Sequence, residues 1–341
     1  MNRRVILALI AVFLMSIAAQ AQSQSQSQSQ SQSQLQLQSQ SQAWKIAYGT
    51  DKGKVAVYNS KTDPKFAEDA PYGPMAFRVF DENLWLLDSI GGHIYGFDRQ
   101  NSLKTEVKIP DLEGFRLLED FALVTGTSGK PETAWVADAA GCFIRKLSLA
   151  DGRELLRIGG RGTEPGKFLQ INQLEVDAGG RLYVGDYGRT VISVFTAYGE
   201  LVREIPWQRS GFALDKKGRL HLLAYRDNAG YFHRIYSARG QLQKSIHIGL
   251  ADLQNPRVWN ADSEDALVVS FVPTGGFKGS LQLLEISSSA RVTRKLYFAP
   301  PGSMNRFIAS ANQKIFLAEA DFFSAPEGEF AVKTIEWDVK K

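Results

Sequence analysis

The chain contains 341 residues, of which 44% are hydrophobic, 22% charged and 11% aromatic. This composition excludes a chain that is disordered or fibrous throughout, and the length is sufficient to fill a large core without metal ions or disulfides. The single cysteine, Cys142, excludes an intrachain disulfide and a thiolate zinc site within one chain. The formal net charge of +4 falls to +2 without Arg3 and Arg4, so we expect no binding to nucleic acid.

Residues 1–21 have the pattern of a secretory signal peptide. Arg3 and Arg4 precede an apolar run over residues 5–19, and Ala19-Gln20-Ala21 has the small-x-small pattern of a cleavage site. The apolar run is shorter than the roughly 20 residues that a helix needs to span a bilayer. We therefore expect export to the periplasm or the medium, with no membrane span after cleavage. A retained N-terminal anchor is the alternative.

Residues 22–42 are almost entirely alternating Ser and Gln. Such a segment buries too little apolar surface to offset the entropy lost on ordering. We interpret it as a disordered linker, and we expect the folded domain to occupy residues 43–341.

A short alternating strand pattern recurs along the folded part, and residues 182–186 (LYVGD) are its clearest copy. Copies begin at positions 46, 84, 134, 182, 220, 266 and 315. Each copy is followed by a turn and a second strand, and most are flanked by two further apolar runs. Four strands repeated every ~40–50 residues are typical of propeller blades. The pattern predicts an all-β propeller of four-stranded antiparallel blades.

The two ends of the chain indicate how the ring closes. The last unit stops after its third strand, and the first unit, residues 45–59, has no inner strand before it. A propeller buries its sheet edges only when the ring closes, so we expect the N-terminal hairpin to complete the last blade. This predicts six blades. Seven blades would need an inner strand that the C-terminal residues do not supply.

One unit resembles an NHL repeat over about forty residues. Its glycine-rich loop (residues 159–168) is followed by an inner strand (171–177), a Gly turn, the LYVGD strand and a strand ending in Val-Phe at 195. The neighbouring units keep the strands and lose the loop motif. The resemblance implies a six-bladed propeller of the exported bacterial type.

Asp88, Asp138 and Asp186 recur after the second strand of their units. A catalytic acid is needed once, whereas a carboxylate at a strand end can accept backbone N–H bonds from the following turn in every blade. We therefore predict a structural role for these residues.

Propellers usually bind partners on the face formed by the loops between strands two and three and between blades, which we call the upper face. Arginine and large aromatic residues are enriched at binding hot spots. The residues of these types expected on the upper face are Arg161, Tyr187, Arg189, Trp207, Arg209, Arg226, Tyr231, Phe277, Phe322 and Phe323. They predict a non-catalytic exported protein that binds a protein, peptide or glycan and needs no cofactor.

A second hypothesis is a divalent-metal-dependent hydrolase or lyase with its site at the central channel. Six-bladed lactonases hold calcium through carboxylate and amide oxygens at the channel mouth. The candidate ligands here are Asn172, Asn255 and Asn305, with Glu119 a weaker one. The opening Glu-Gly-Pro segment of the lactonases is absent from this chain.

Overall fold

The structure, a computed structural model, describes residues 42–62, 71–110, 117–250, 254–273 and 280–335. The predicted signal peptide, nearly all of the predicted linker and Phe277 lie outside these ranges. The described residues contain no helix that is long and apolar enough to cross a membrane.

The chain forms 24 strands in the described residues, arranged as six antiparallel sheets of four. Blade 1 comprises β2 (Ala76–Phe80), β3 (Asn83–Asp88), β4 (His93–Phe97) and β5 (Leu103–Lys108). Blade 2 comprises β6 (Leu118–Thr125), β7 (Pro131–Asp138), β8 (Phe143–Ser148) and β9 (Glu154–Gly159). Blade 3 comprises β10 (Ile171–Val176), β11 (Leu182–Asp186), β12 (Val191–Phe195) and β13 (Leu201–Pro206).

The second half repeats this plan. Blade 4 comprises β14 (Phe212–Leu214), β15 (Leu220–Arg226), β16 (Gly230–Tyr236) and β17 (Leu242–Ile248). Blade 5 comprises β18 (Gln254–Ala261), β19 (Leu267–Val272), β20 (Leu281–Ile286) and β21 (Val292–Phe298). Blade 6 comprises β22 (Ile308–Ala311), β23 (Lys314–Ala320), β24 (Glu329–Ile335) and β1 (Gln42–Ala47). The six-bladed, all-β prediction is confirmed.

The ring closes through one N-terminal strand. β1 is the outermost strand of blade 6 and pairs antiparallel with β24, with Ile46 opposite Phe330. The expected N-terminal hairpin is therefore only half right, because residues 48–59 contribute isolated bridges and turns in place of a second blade strand. Asn59 attaches this segment to blade 6, because its side-chain amide donates to the carbonyl oxygens of Phe322 and Ala325 at 2.7 and 3.2 Å.

The core is divided among the blade interfaces. Each apolar cluster combines side chains of neighbouring blades, because a blade is apolar on both faces where it packs. Residues of neighbouring blades that share a cluster include Leu87 and Phe121, Trp135 and Leu174, Tyr183 and Phe212, Leu223 and Val258, and Phe77 and Phe330. The first strand of each blade contacts the first strand of the next in a closed ring, and these six strands line the central channel.

The repeated aspartates fasten turns, as predicted. The Asp186 carboxylate accepts the backbone N–H groups of Leu169, Gln170 and Gly188 at 3.0, 2.9 and 2.9 Å. Asp88 and Asp138 accept from the turn glycine three residues later, at 2.9 and 3.2 Å. The structural prediction for these residues is confirmed, and the carboxylates hold the upper-face loops in place.

Candidate binding pocket beside a charged channel

Two arginines and two carboxylates meet in the central channel. Arg78 on β2 is 3.3 Å from both Asp120 on β6 and Glu175 on β10. Arg306, just before β22, lies 3.1 Å from Asp120 and 2.8 Å from Glu175. The ring therefore brings together four side chains from four blades. We call these four residues the channel network.

The channel network balances its charges. Burial alone would raise the pKa of Asp120, but the charges of Arg306 and Arg78 outweigh it and lower that pKa. Burial would lower the pKa of Arg306, and Asp120 and Glu175 raise it instead. Asp120 also accepts the backbone N–H of Leu174 at 2.9 Å. Two positive and two negative groups with further backbone hydrogen bonds are what a buried charge cluster needs to be stable.

A layer of amides lies beside this network at the channel mouth. The Asn305 amide donates to the carbonyl oxygens of Asn172 and Glu119 at 2.6 and 3.1 Å. Its Oδ1 accepts from Asn172 Nδ2 at 3.2 Å and from Arg257 Nη1 at 2.8 Å. Asn172 and Asn305, two of the three predicted calcium ligands, are thus brought together, and Asn255 lies apart from them on β18. Asn305 Oδ1 is thus engaged by the Arg257 guanidinium, whereas Asn172 Oδ1 is buried without a hydrogen-bond partner among the described residues.

Arg257 is the channel-mouth residue that lacks a compensating charge. Its guanidinium stacks over the Trp259 ring at 4.4 Å, and no carboxylate of the described residues is in ion-pair contact with it. Its Nε and Nη2 atoms are buried and have no hydrogen-bond partner among the described residues. Burial lowers the pKa of Arg257, as expected for a cation removed from water.

Glu119 lies within electrostatic reach of Arg257. Burial and the negative charge of Asp120 raise the pKa of Glu119 to about 7, and Arg257 partly opposes this rise. Its carboxylate therefore changes charge near neutral pH, unlike Asp120, whose pKa is lowered.

A cavity of about 630 Å³ opens next to Arg257 on the upper face. It is formed by blades 3, 4 and 5 and is lined by Tyr187, Gln208, Arg209, Ser210, Leu223, Tyr225, Tyr231, Asn255, Pro256 and Arg257. We call it the mouth pocket. Its size is in the range of pockets that enclose a small ligand, and three tyrosine rings form much of its wall.

Some polar groups of the mouth pocket are already committed. Gln208 makes two hydrogen bonds with the backbone of Tyr225, accepting its N–H and donating to its carbonyl oxygen. Ser210 donates to the carbonyl oxygen of Leu223 at 2.7 Å. The side chains of Arg209 and Asn255 make no hydrogen bond or ion pair with the described residues. The pocket therefore keeps two guanidinium groups and one amide available.

The pocket gathers four of the residues predicted from the sequence: Tyr187, Arg209, Tyr231 and Asn255. Tyr187 comes from the loop after β11, Arg209 from the connection between blades 3 and 4, and Tyr231 from β16. The Tyr187 ring lies 5.1 Å from Trp207 and the Tyr231 ring 5.2 Å from Tyr225. Trp207 thus supports Tyr187, and the two other wall tyrosines contact each other.

Two aromatic residues expected on the upper face belong to the core, which corrects that expectation. Trp207 is 2% exposed, lies edge-on to Phe212 at 5.8 Å and comes so close to Gly185 that a Cβ there would lie 2.9 Å from the indole. Phe322 is 1% exposed and packs against Tyr48 from the N-terminal segment. The loop of Phe322 does have a core to fill, which the closing N-terminal segment supplies. Phe323 is 61% exposed.

The remaining predicted arginines have separate positions. Arg189 is committed to structure: it pairs with Glu204 at 2.6 Å and donates to the carbonyl oxygens of Thr163 and Lys167, both at 3.0 Å. Arg161 is exposed and makes a 3.4 Å hydrogen bond to a neighbouring loop carbonyl. Arg226 is exposed outside the pocket and stacks over Phe232 at 4.8 Å.

Sequence analysis missed Arg257 and the channel network. The signal in the sequence was a charged residue within a first strand, such as the arginine of AFRVF in β2 or of QNPRVWNA in β18. Such a residue is uninformative until the ring places the strands side by side. Among the described residues, no group of three or more His, Cys, Asp or Glu side chains is arranged to hold a metal ion.

Comparisons with known proteins find similarity in fold only. No family model and no curated protein matches the chain. Regucalcin, a calcium-binding protein from Agrobacterium tumefaciens, is similar with a TM-score of 0.51 at 11% identity, over 77% of this chain and 90% of its own. A DUF4221-family protein from Bacteroides vulgatus has a TM-score of 0.51 at 12% identity, over 88% and 98%. Virginiamycin B lyase from Staphylococcus aureus has a TM-score of 0.47 at 16% identity, and the match covers 74% of this chain and 78% of the lyase chain.

The two similarities with a TM-score of 0.51 support the propeller fold and no particular activity, because propellers with the same fold carry unrelated functions. The resemblance of residues 159–195 to an NHL repeat stays a prediction. What distinguishes this chain is therefore its own site: the balanced channel network and the unbalanced mouth pocket beside it.

Proposed function

We propose that this protein is exported and binds a protein, peptide or glycan partner in the mouth pocket without performing chemistry on it. One observation carries the proposal: a cavity of about 630 Å³ whose walls are three tyrosine rings and whose uncommitted polar groups come from Arg209, Asn255 and Arg257. Aromatic and arginine side chains supply large contact areas and directional bonds for few rotatable torsions. A closed ring presents them rigidly, which limits the entropy lost on binding.

A binding array tests this proposal. Immobilised peptides and glycans are probed with the full chain. The ligands that bind are then tested with two variants, substituted at adjacent residues, and their affinities are compared with that of wild type. Tyr225, 47% exposed, lines the pocket, whereas its exposed neighbour Arg226 does not. Tyr225→Ala should weaken binding by about tenfold or more, and Arg226→Ala should leave it unchanged. The ligand should be recovered chemically intact. Equal binding by wild type and Tyr225→Ala would rule out the mouth pocket as the site.

A second candidate is the divalent-metal-dependent hydrolase or lyase, favoured by the pKa of about 7 at Glu119. A carboxyl that titrates near neutral pH suits general acid–base catalysis. The amides fit calcium poorly, because Asn305 Oδ1 already accepts from Arg257 at 2.8 Å and the guanidinium repels a second cation. This candidate predicts a melting temperature that rises with Ca²⁺ and falls with chelator. The binding proposal predicts no response to either.

A further inference from the structure

The mouth pocket has an unbalanced positive charge. Arg257 lies at its inner end and Arg209 at its exposed rim, and none of the residues that line the pocket is acidic. Neither arginine forms an ion pair with the described residues, in contrast to Arg78 and Arg306 in the adjacent channel. Two carboxylates lie within electrostatic reach of Arg257: Asp120 is already paired with Arg78 and Arg306, and Glu119 has a pKa raised to about 7, so it loses its charge as the pH falls below that value. A guanidinium with no protein counter-charge favours a ligand that supplies one.

The hydrogen-bonding groups of the pocket point to an acceptor-rich ligand. Nε and Nη2 of Arg257 are buried donors without a partner among the described residues. A buried donor that lacks a partner is costly, so a group that satisfies both nitrogens is strongly favoured. Both nitrogens are shielded from bulk water, and the Arg257 side chain lines the cavity. A planar oxyanion matches the paired N–H groups of arginine.

The pocket is not suited to an extended peptide strand. Peptides that add to a sheet edge need free backbone N–H and C=O groups. β14 pairs with β15 only as far as Leu222, which leaves the backbone of Tyr225 without a strand partner on that side. The Gln208 amide occupies both groups of Tyr225 and closes the edge. The ligand must therefore be recognised through side chains, by rings against the tyrosines and by charge at the arginines.

We propose that the mouth pocket binds an acidic sugar unit of a glycan, with its ring against Tyr187, Tyr225 and Tyr231 and its carboxylate or phosphate paired with Arg257. This inference rests on the proposed function and names its ligand class. The cavity of about 630 Å³ accommodates a short oligosaccharide segment rather than a large protein surface. Arg209 and Asn255 at the wall would bind the hydroxyl oxygens of neighbouring units.

The test uses small probes that share a ring and differ in charge. Glucuronate, glucose 6-phosphate and glucose are titrated into the full chain, and binding is followed by NMR chemical shifts. At least one of the two acidic sugars should bind about tenfold to a hundredfold more tightly than glucose, since hydrogen bonds to charged groups are worth more than neutral ones. The tighter of the two identifies the oxyanion as carboxylate or phosphate.

Two variants locate the charge. Arg257→Met should remove the preference for the acidic sugar over glucose, and Arg226→Met, an exposed arginine outside the pocket, should retain it. Circular dichroism and the unfolding midpoint show that each variant is folded. A preference that survives in Arg257→Met would overturn the assignment of Arg257 as the anion-binding residue.

The remaining outcomes separate this inference from the proposed function. Equal binding of glucuronate, glucose 6-phosphate and glucose would overturn the acidic-sugar assignment, while a loss of array binding in Tyr225→Ala would still support the pocket. Tighter binding of N-acetyltyrosine than of either acidic sugar would assign the pocket to a peptide carboxylate and overturn the glycan. Array binding that is unaffected by Tyr225→Ala would overturn both.

Discussion

Arg306 and Arg257 belong to the last two blades of the ring, and the same asparagine, Asn305, adjoins both, yet their surroundings differ. Arg306 contacts Asp120 and Glu175 at 3.1 and 2.8 Å, so its charge is neutralised inside the protein. Arg257 has a tryptophan face and one amide oxygen, and two of its nitrogens have no partner among the described residues.

The difference separates structure from function. Balanced buried charges connect four blades across the channel and are explained by the fold alone. A buried charge without a partner raises the free energy of the unbound protein, and proteins tolerate such local costs mainly at functional sites. By this criterion the channel network is structural and the mouth pocket is the site where a ligand is expected.

The largest effect is expected at the centre of the channel network. Asp120→Asn keeps the side-chain shape but leaves Arg78 and Arg306 with one carboxylate between them, because Glu175 remains. The free energy of unfolding should fall by about 3–5 kcal/mol, the usual cost of breaking a buried ion pair. Urea denaturation followed by tryptophan fluorescence measures this change.

An exposed pair provides the matched control. Asp51 contacts Lys54 at 2.6 Å with both side chains exposed, and Asp51→Asn should leave the free energy of unfolding almost unchanged. Similar losses for Asp120→Asn and Asp51→Asn would show that the channel network has no special structural importance.

Glu119 should give a smaller, pH-dependent effect. Its pKa in the folded protein, about 7, lies above its ordinary value of 4.5. The protonated form is therefore favoured by folding, and the associated stability is fully present below pH 4.5 and is lost as the pH rises through 7. Glu119→Gln should match wild type near pH 4.5 and exceed it by about 1 kcal/mol at pH 8.

Denaturation of wild type and Glu119→Gln at pH 4.5, 6 and 8 checks this prediction, because these pH values span the ordinary and the raised pKa of Glu119. Asp88, whose pKa burial raises to about 6, and His233, whose pKa burial lowers to about 3, are present in both proteins and cancel in the difference. A difference that stays constant across this range would mean that Glu119 does not titrate near neutral pH.

The fold was predictable because each blade is a local pattern. Alternating strands such as LYVGD and the turn glycines are encoded within a few residues, and the incomplete ends of the chain indicated six blades. The number of strands that the N-terminal segment adds to blade 6 was harder to predict. Asn59, at the end of the segment 48–59, contacts a loop more than 260 residues away, and a local pattern does not encode such a contact.

The site was only partly predictable, for the same physical reason. Residue type placed Tyr187, Arg209 and Tyr231 on the upper face, and they do meet in one pocket. Residue type could not distinguish Phe322, which is buried, from Phe323, which is exposed. Arg306 and Asp120 are 186 residues apart in sequence, so neither residue indicates the other until the ring closes.

The most direct test of the account makes the same substitution at both arginines. Arg306→Met should lower the free energy of unfolding by about 3–5 kcal/mol, because Asp120 and Glu175 lose a buried partner. Arg257→Met should change it by no more than about 1 kcal/mol, because no ion pair is broken and Asn305 Oδ1 still accepts from Asn172. Equal losses from the two substitutions, measured by urea denaturation under identical conditions, would show that Arg257 is a structural residue and would contradict the account.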